Sequence, residues 1–388
     1  MAEWRTTTLG DLCVLRGGSA FPRHEQGLVA GEIPFIKVSD LNLAGNGYQI
    51  TEANNFVSDA TASRMALATA ESGSTVFAKI GAAIMAERYR VLTRRTAFDN
   101  NMMAATAIKG VSDPRFLYYL LATLELSRSA VGSALPYLTQ GALAALPCRV
   151  PDLVSQRAIA EVLGALDDKI AANTRLVTAA DELATALFSR MLDEAEMRPL
   201  TSTARFVNGR NFTTGASGSG RVVIRIAELN SGLGGSTVFS DAEVADDHVA
   251  RPGDVLFAWS GSLTLHRWYR PEGVVNQHIF KVIPNPRHPR WLVWHLIERR
   301  LDEFKAIAAD KATTMGHIQR RHLDEPVPVP VASVVAANDA RMSALWDRAL
   351  ADECENLALA ATRDALLPAL MSGALRVRDA ERVVEGAV

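Results

Sequence analysis

Polar residues and glycines end two similar apolar runs in the chain, and these residue types could bind an anion. Lys79 and Gly81 follow the run TVFA, and Trp259, Ser260 and Gly261 follow the run VLFA. A glycine turn lets the backbone approach a phosphate closely, and Lys79 could pair with that phosphate, whereas Trp259 could not. A hairpin turn without any ligand is the alternative explanation of the same pattern.

Amide, imidazole and guanidinium groups occupy similar places downstream of both runs. Amide side chains can hydrogen-bond an adenine edge, and basic side chains can hold phosphates or a guanine edge. Structural turn residues and a solvated strand face are the alternatives. The amide-rich candidates are Asn100 and Asn101, and Asn276, Gln277 and His278; the basic candidates are Arg88, Arg90, His266 and Arg267; two later loops add Thr139, Gln140, Lys311, Thr313 and His317.

The sequence contains none of the usual signatures of catalysis. It lacks the P-loop, the dinucleotide-binding GxGxxG after a strand, GxSxG and HExxH. Cys13, Cys148 and Cys354 lie far apart without a CxxC pair, which argues against a disulfide framework or a zinc site. We therefore expect no catalytic residues, no cofactor and no metal; a hydrolase with an unrecognised site is the remaining enzymatic alternative.

The composition predicts an ordered cytoplasmic protein. Apolar residues make up 48% of the chain, which is typical of globular proteins and excludes extensive disorder. No basic-then-apolar segment stands at the N-terminus, and no apolar run approaches the ~18 residues that span a bilayer. The net charge of −2 is unevenly distributed: 152–196 and 331–388 carry −5 and −3, whereas 1–151 and 197–330 carry +2 and +4.

The chain repeats itself, with the same features in the same order in both halves. An internal duplication explains this order, whereas two unrelated α/β domains with generic strand and turn chemistry are the alternative. The matching segments are LGDLCVLRGGSAF and LTSTARFVNGRNF, IKVSDLN and IRIAELN, ESGSTVFAKIGA and RPGDVLFAWSGS, DPRFLYYLL and HPRWLVWHL, and the Pro-bracketed strands LPCRVP and EPVPVP. Each half then enters a long Ala/Leu-rich segment.

The first of these long segments has the heptad pattern of a coiled coil. Its apolar or small residues alternate by three and four, and Asn173 occupies one core position. A polar core residue costs stability but selects register; an Asn that faces solvent is the alternative. In the second segment, Glu353 and Arg363 occupy seam positions, which are the heptad positions expected to face the other helix. This helix therefore drifts out of heptad register or faces another partner at these residues. The heptad positions are Leu163, Leu166, Ile170, Asn173, Val177, Ala180, Ala184, Leu187 and Met191.

The order of module, long helix, module and long helix resembles the specificity subunits of type I restriction-modification enzymes. PDLVSQRAIAEVLGALDDKI and LALAATRDALLPALMSGAL carry the resemblance most, together with WRTTTLGDLCVLRGG. It implies an α+β fold in which a long antiparallel two-helix coiled coil separates two repeated mixed α/β target-recognition domains, related by a pseudo-twofold axis. The predicted division is 1–151 for the first domain, 152–198 for the central spacer helix, 199–330 for the second domain, and 331–388 for the distal helix and tail.

The resemblance also implies partners and a task. Family members bind a bipartite site on double-stranded DNA through the major groove, sit between two methyltransferase subunits, and recruit restriction and translocase subunits. The subunit itself catalyses nothing. A specificity chain that partners a fused nuclease-methyltransferase, and a coiled-coil scaffold that does not bind DNA, are the competing interpretations.

Overall fold

A computed structural model describes residues 4–43, 45–310 and 316–386 of the chain. The chain divides into two compact units: unit 1 comprises residues 1–172 and 358–388, and unit 2 comprises residues 173–357. Each unit contains one predicted module together with parts of both long segments, because the helices pack into the module cores. Among the helices of the described ranges, none has the length and apolar character needed to cross a membrane.

Short strands dominate the module of unit 1, as its alternation of apolar runs with Gly, Pro and Asn breaks predicts. The strands are β1 (Arg5–Thr8), β2 (Cys13–Gly17), β3 (Ile33–Ile36), β4 (Gln49–Ile50), β5 (Phe56–Val57), β6 (Thr69–Ala70), β7 (Thr75–Ala78), β8 (Arg90–Leu92), β9 (Thr96–Phe98), β10 (Met102–Ala107) and β11 (Pro147–Val150). The helices are α1 (Leu9–Leu12), α2 (Asp59–Arg64), α3 (Pro114–Thr123) and α4 (Gln140–Ala144), and the long helix α5 (Leu153–Met191) follows. Local sequence fixes the start of α3, where the Asp113 carboxylate accepts hydrogen bonds from the N–H groups of Arg115 and Phe116.

The module of unit 2 repeats this arrangement. Its strands are β12 (Ala195–Pro199), β13 (Ala204–Asn208), β14 (Arg221–Ile224), β15 (Phe239–Ser240), β16 (Val249–Ala250), β17 (Val255–Ala258), β18 (Thr264–Arg267), β19 (Gly273–Val275), β20 (Ile279–Pro284) and β21 (Pro326–Pro330). Its α-helices are α6 (Ile226–Ser231) and α7 (Arg290–Asp310), and α8 (Ala332–Ser372) and α9 (Val377–Glu385) complete the α-helices in the described ranges. Trp291 of α7 is buried and donates its indole N–H to Asp339 of α8 at 2.8 Å.

The strand order confirms the predicted duplication. One sheet of unit 1 runs β2-β10-β7-β8 before adding β4, and its counterpart in unit 2 runs β13-β20-β17-β18. A second sheet runs β5-β3-β9-β6 in unit 1 and β15-β14-β19-β16 in unit 2. The registers also correspond, since Phe77 pairs with Met103 where Phe257 pairs with Phe280. Two unrelated α/β domains would not share both strand orders.

In each unit, one end of α5 packs with the opposite end of α8, as in an antiparallel helix pair. Within unit 1, the N-terminal part of α5 shares a core with the C-terminal part of α8; within unit 2, the C-terminal part of α5 shares a core with the N-terminal part of α8. The predicted heptad positions of α5 are all buried or half-buried. Asn173 is 1% exposed and donates from Nδ2 to Glu355 Oε2 at 2.6 Å. Its predicted core position is confirmed, and the solvent-facing alternative is wrong.

The two charged seam residues of α8 each have a partner in the same unit. In unit 1, Arg363 Nη1 lies 2.7 Å from Asp167 Oδ1 of α5. In unit 2, Glu353 accepts a hydrogen bond from Arg267 of β18. Each charged seam residue of α8 therefore faces an opposite charge, which α5 supplies for Arg363 and the module supplies for Glu353. This agrees with the expectation that the helix faces another partner at these positions.

Candidate nucleic-acid interface

Three of the predicted segments converge where β7 ends in unit 1. Lys79 donates its N–H to Asn101 O at 2.8 Å, and its carbonyl accepts from the N–H of Leu138 at 2.8 Å. Gly81 donates its N–H to Pro136 O at 2.7 Å, and its φ of +80° lies in the region that favours glycine. We call residues 79–81, 99–101 and 136–140 strand-end site 1.

The end of β17 in unit 2 has the same backbone arrangement. Trp259 donates its N–H to His278 O at 3.0 Å and accepts from the N–H of Ile318 at 3.1 Å. Gly261 donates its N–H to Gly316 O at 2.9 Å and has a φ of +68°. His317 pairs with Ser260 where Tyr137 pairs with Ile80 in unit 1. We call residues 259–261, 276–278 and 316–319 strand-end site 2.

One glycine beside each strand-end site allows two backbone segments to approach each other closely. A Cβ on Gly18 would lie 1.9 Å from Asp99 O, and a Cβ on Gly209 would lie 2.1 Å from Asn276 O. Ser19, which follows the first glycine, forms a parallel bridge with Asp99, and Arg210 forms the same bridge with Asn276. Asp99 and Asn276 are therefore equivalent positions, as are Asn101 and His278 two residues later.

Strand-end site 1 presents a cation and amide groups. Lys79 is half-buried, and within the described ranges its ammonium group has no hydrogen-bond or ion-pair partner. The ammonium group lies over Gly17, where an added Cβ would be 2.9 Å from Nζ. Asn100 is exposed. Asn101 is held by Asp99, which accepts from its N–H at 3.0 Å and from its Nδ2 at 3.4 Å. Burial raises the pKa of the Asp99 carboxyl, and hydrogen bonds from Asn101 and the charge of Lys37 oppose that rise.

Two predicted residues of the same site have local structural roles. The Thr139 hydroxyl caps α4 by accepting from the N–H of Ala142 at 3.1 Å. Gln140 donates from Nε2 to Leu15 O at 2.8 Å. Both side chains are exposed, so these bonds account for their residue types without a ligand while leaving them at the surface of the site.

Strand-end site 2 presents aromatic and imidazole rings instead. Trp259 stacks on Phe280 with a centroid distance of 5.7 Å and donates its indole N–H to Asn208 Oδ1 at 2.8 Å. His278 has a φ of +76°, which is strained for a residue with a Cβ, and its buried Nδ1 has no hydrogen-bond partner. Such strain together with an unpaired polar atom is concentrated at functional sites. Gln277 beside it is exposed.

Two other candidates at strand-end site 2 are buried. Asn276 is buried, and its Oδ1 accepts from the N–H of Phe212 at 3.1 Å. Ser260 is buried as well, whereas His317 is exposed. Lys311 and Thr313, which were predicted to belong to the preceding loop, lie outside the described residues.

The structure corrects the prediction for Arg267, which is buried, and gives Arg90 and His266 surroundings that argue against a cationic contact with DNA. Arg267 is buried and bonds two carboxylates of the long helices. Arg90 is half-buried and donates from Nε to Asn46 O at 2.7 Å and from Nη1 to Tyr89 O at 2.8 Å, so a structural role accounts for it. Burial lowers the pKa of His266 to about 4, so its ring is neutral at pH 7 and cannot serve as a cation. Arg88 is exposed and stays a candidate.

Sequence reasoning missed two basic residues beside the strand-end sites. Lys37 follows β3 and Arg225 follows β14, and these strands run parallel to β9 and β19. Parallel strands end at the same edge of a sheet, so Lys37 lies near Asp99 and Arg225 lies near Asn276. The repeat IKVSDLN and IRIAELN contained this signal, since each apolar strand ends in a basic residue.

Part of the chain matches a family model, and the structure is similar to solved structures. Residues 1–179 match the model described as "Type I restriction modification DNA specificity domain". The structure is similar to the S subunit of a type I restriction-modification system from M. genitalium, with 13% identity, a TM-score of 0.60, and coverage of 95% of this chain and 96% of that chain. An HsdS subunit from Thermoanaerobacter tengcongensis has 15% identity, a TM-score of 0.37, and coverage of 96% and 97%. No curated protein matches the sequence.

Proposed function

We propose that the chain is a specificity subunit of a type I restriction-modification system and that each of its two modules reads one half of a split target on duplex DNA. This family is the DNA-recognition component of such systems and does not catalyse their reactions. The observation that carries the proposal is the pair of strand-end sites, which have the same backbone hydrogen bonds but different side chains. Duplicated modules with diverged surfaces are suited to reading two different half-sites.

The chemistry of the two sites suits contacts in the major groove. Lys79 would pair with a phosphate, and Asn100 and Asn101 would bond a base edge. In the second module, Gln277 and His278 would read bases from the equivalent positions. We also keep as proposed contacts Gly81, Arg88, Thr139, Gln140, Trp259, Ser260, Gly261, Asn276, Lys311, Thr313 and His317.

The long helices would set the distance between the two half-sites. Half-sites on B-DNA present the same face once per turn of about 34–36 Å, so a stiff helical pair would fix the number of base pairs between them. We propose that this pair also docks two methyltransferase subunits, and that restriction and translocase subunits join the complex. Methyl transfer and cleavage would then reside in those partners, and a DNA target implies that the assembly works in the cytoplasm.

Mapping methylated bases tests the proposal directly. The chain would be expressed with its methyltransferase subunits in a host without other modification, and the modified sites would be read from the genome. We expect two defined half-sites separated by a spacer of fixed length and unspecified sequence. A continuous target, or methyl transfer by the purified chain alone, would contradict the proposal.

Duplex binding at several salt concentrations separates the proposal from a scaffold without DNA affinity. Binding through phosphates releases counterions, so the logarithm of affinity should fall linearly with the logarithm of salt. A scaffold would bind no duplex at any salt concentration. A single partner that both methylates and cleaves would favour the fused nuclease-methyltransferase interpretation.

A further inference from the structure

A buried arginine in unit 2 joins the module to both long helices. Arg267 of β18 donates from Nε to Glu353 Oε2 of α8 at 2.8 Å. Its Nη1 and Nη2 donate to Asp181 Oδ1 and Oδ2 of α5 at 3.2 and 3.1 Å. The Arg267 side chain is 3% exposed, so it cannot reach a DNA phosphate, and its charge is used within the protein.

Aromatic rings complete the enclosure of this guanidinium. Its Cζ lies 4.7 Å from the ring centroid of Trp346 on α8 and 5.9 Å from that of Trp294 on α7. Cation–π attraction adds to the hydrogen bonds where water is excluded. We call Arg267, Asp181, Glu353, Trp294 and Trp346 the Arg267 hub. It includes residues from the module and from both long helices.

Unit 1 has a link of the same kind built from other residues. The Tyr119 hydroxyl of α3 donates to Asp167 Oδ2 of α5 at 2.6 Å, and Arg363 of α8 donates to Asp167 Oδ1 at 2.7 Å. Here an anion stands at the centre, whereas a cation stands at the centre of the Arg267 hub. Different chemistry in each unit thus produces the same connection between a module and the two long helices.

We propose that Arg267 is a positioning residue that fixes the angle of the second module on its helix pair and thereby restricts the spacer length that the subunit accepts. This inference rests on the proposed function, because spacer length matters only for a split target. A spacer that is longer or shorter by one base pair moves a half-site by about 3.4 Å along the duplex and rotates it about the axis. A rigidly held module must then deform the DNA, whereas a loosely held module can follow the shift.

The fork geometry of arginine is essential to this role. A guanidinium can bond Glu353 and both oxygens of Asp181 at once, whereas a lysine ammonium is a compact point charge that reaches fewer acceptors in fixed directions. Arg267→Lys keeps the charge and removes the fork. Glu353→Gln keeps the shape and removes one charge while Asp181 still pairs with Arg267.

The test compares affinities for duplexes that differ only in spacer length. The half-sites found for the wild-type complex with its methyltransferase subunits would be synthesised with the native spacer and with one base pair more or fewer. The measured quantity is the ratio of affinities for native and altered spacers. This ratio does not depend on the fraction of folded protein, so a variant that is merely less stable leaves it unchanged.

We expect Arg267→Lys to lower this ratio by about threefold or more, because the module can follow the shifted half-site without bending the DNA. Glu353→Gln should lower it less. The matched control is Arg205→Lys, since Arg205 forms an exposed pair with Asp247 inside the same module; it should leave the ratio unchanged. The bases read in both half-sites should stay the same in all three variants.

The outcomes separate the two proposals. If the wild-type complex has a split target but both hub variants keep the wild-type ratio, the positioning role of Arg267 is overturned and the proposed function stands. If the ratio falls equally in the Arg205→Lys control, the effect does not belong to the hub and the inference also fails. A wild-type complex without a split target would overturn the proposed function together with this inference.

Discussion

The two modules share a backbone framework and differ in the side chains placed on it. The same strand order and the same backbone hydrogen bonds bring together Lys79, Asn101 and Tyr137 in one module, and Trp259, His278 and His317 in the other. Backbone bonds hold these segments in place, so the side chains can change without loss of the fold. A duplicated module can therefore acquire a new surface chemistry, a cation with amides in one copy and stacked rings in the other.

The largest effect is expected where both modules need a glycine for a close backbone contact, at Gly18 and at Gly209. Gly18→Val and Gly209→Val would place a Cβ about 2 Å from a backbone carbonyl, so the two backbone segments that meet there must separate. We expect each to destabilise its own module by about 3 kcal/mol or more and to abolish recognition of one half-site.

Thermal unfolding and binding to single half-sites would measure this effect. Gly47→Val in the first module and Gly234→Val in the second are matched controls, because a Cβ at either position meets no atom within 4 Å. If Gly18→Val and its control are equally stable, the close approach is not what holds strand-end site 1.

A smaller effect is expected on the salt dependence of DNA affinity, because strand-end site 1 has the cation Lys79 where strand-end site 2 has Trp259. Lys79→Met removes the proposed phosphate contact of the first module, so the slope of log affinity against log salt should fall by about 1 for duplexes that carry its half-site. Arg157→Met removes an equal charge from an exposed position on α5 and should leave the slope unchanged. Equal slopes for Lys79→Met and wild type would show that Lys79 touches no phosphate.

The smallest effect concerns the equivalent residues Asp99 and Asn276. Asp99→Asn gives the first module the residue that the second already has, and its Oδ1 can still accept from the N–H of Asn101. Because burial raises the folded-state pKa of Asp99, the folded protein binds this proton more tightly than the unfolded chain. The contribution of Asp99 to stability is therefore present below the unfolded pKa of about 3.9 and is lost as pH rises through the folded pKa.

Denaturant unfolding at several pH values would measure this difference. Asp99→Asn should be the more stable protein at pH 7 by less than about 1.5 kcal/mol, and its advantage should disappear in acid. An advantage that stays constant from acid to neutral pH would exclude titration of Asp99 as the cause.

Periodicity and repetition were the most informative parts of the sequence. The heptad spacing identified the buried face of α5, including Asn173, because a helix must return the same face to its partner every three or four residues. The repeat predicted which segments correspond, and the matching backbone hydrogen bonds of Lys79 and Trp259 confirm that these residues occupy equivalent positions. Both signals are local or internal to the sequence.

The partners of charged side chains could not be predicted in the same way. Arg267 follows a glycine turn much as a DNA-binding residue would, but its two carboxylate partners each lie 86 positions away. The one indication in the sequence was Glu353, because an acidic residue at a seam position of α8 needs a cation beside it. The strained φ of His278 left no sequence signal either, since nothing in its neighbours requires a positive φ.

Exchange of one module, followed by mapping of methylated sites, tests the central claim most directly. Residues 199–330 would be replaced by the same module of a related specificity subunit, and the chimera would be expressed with its methyltransferase subunits. We predict a target in which one half-site is new, the other half-site is that of the wild type, and the spacer length is retained. A target in which both half-sites change, or only the spacer changes, would contradict the assignment of one half-site to each module.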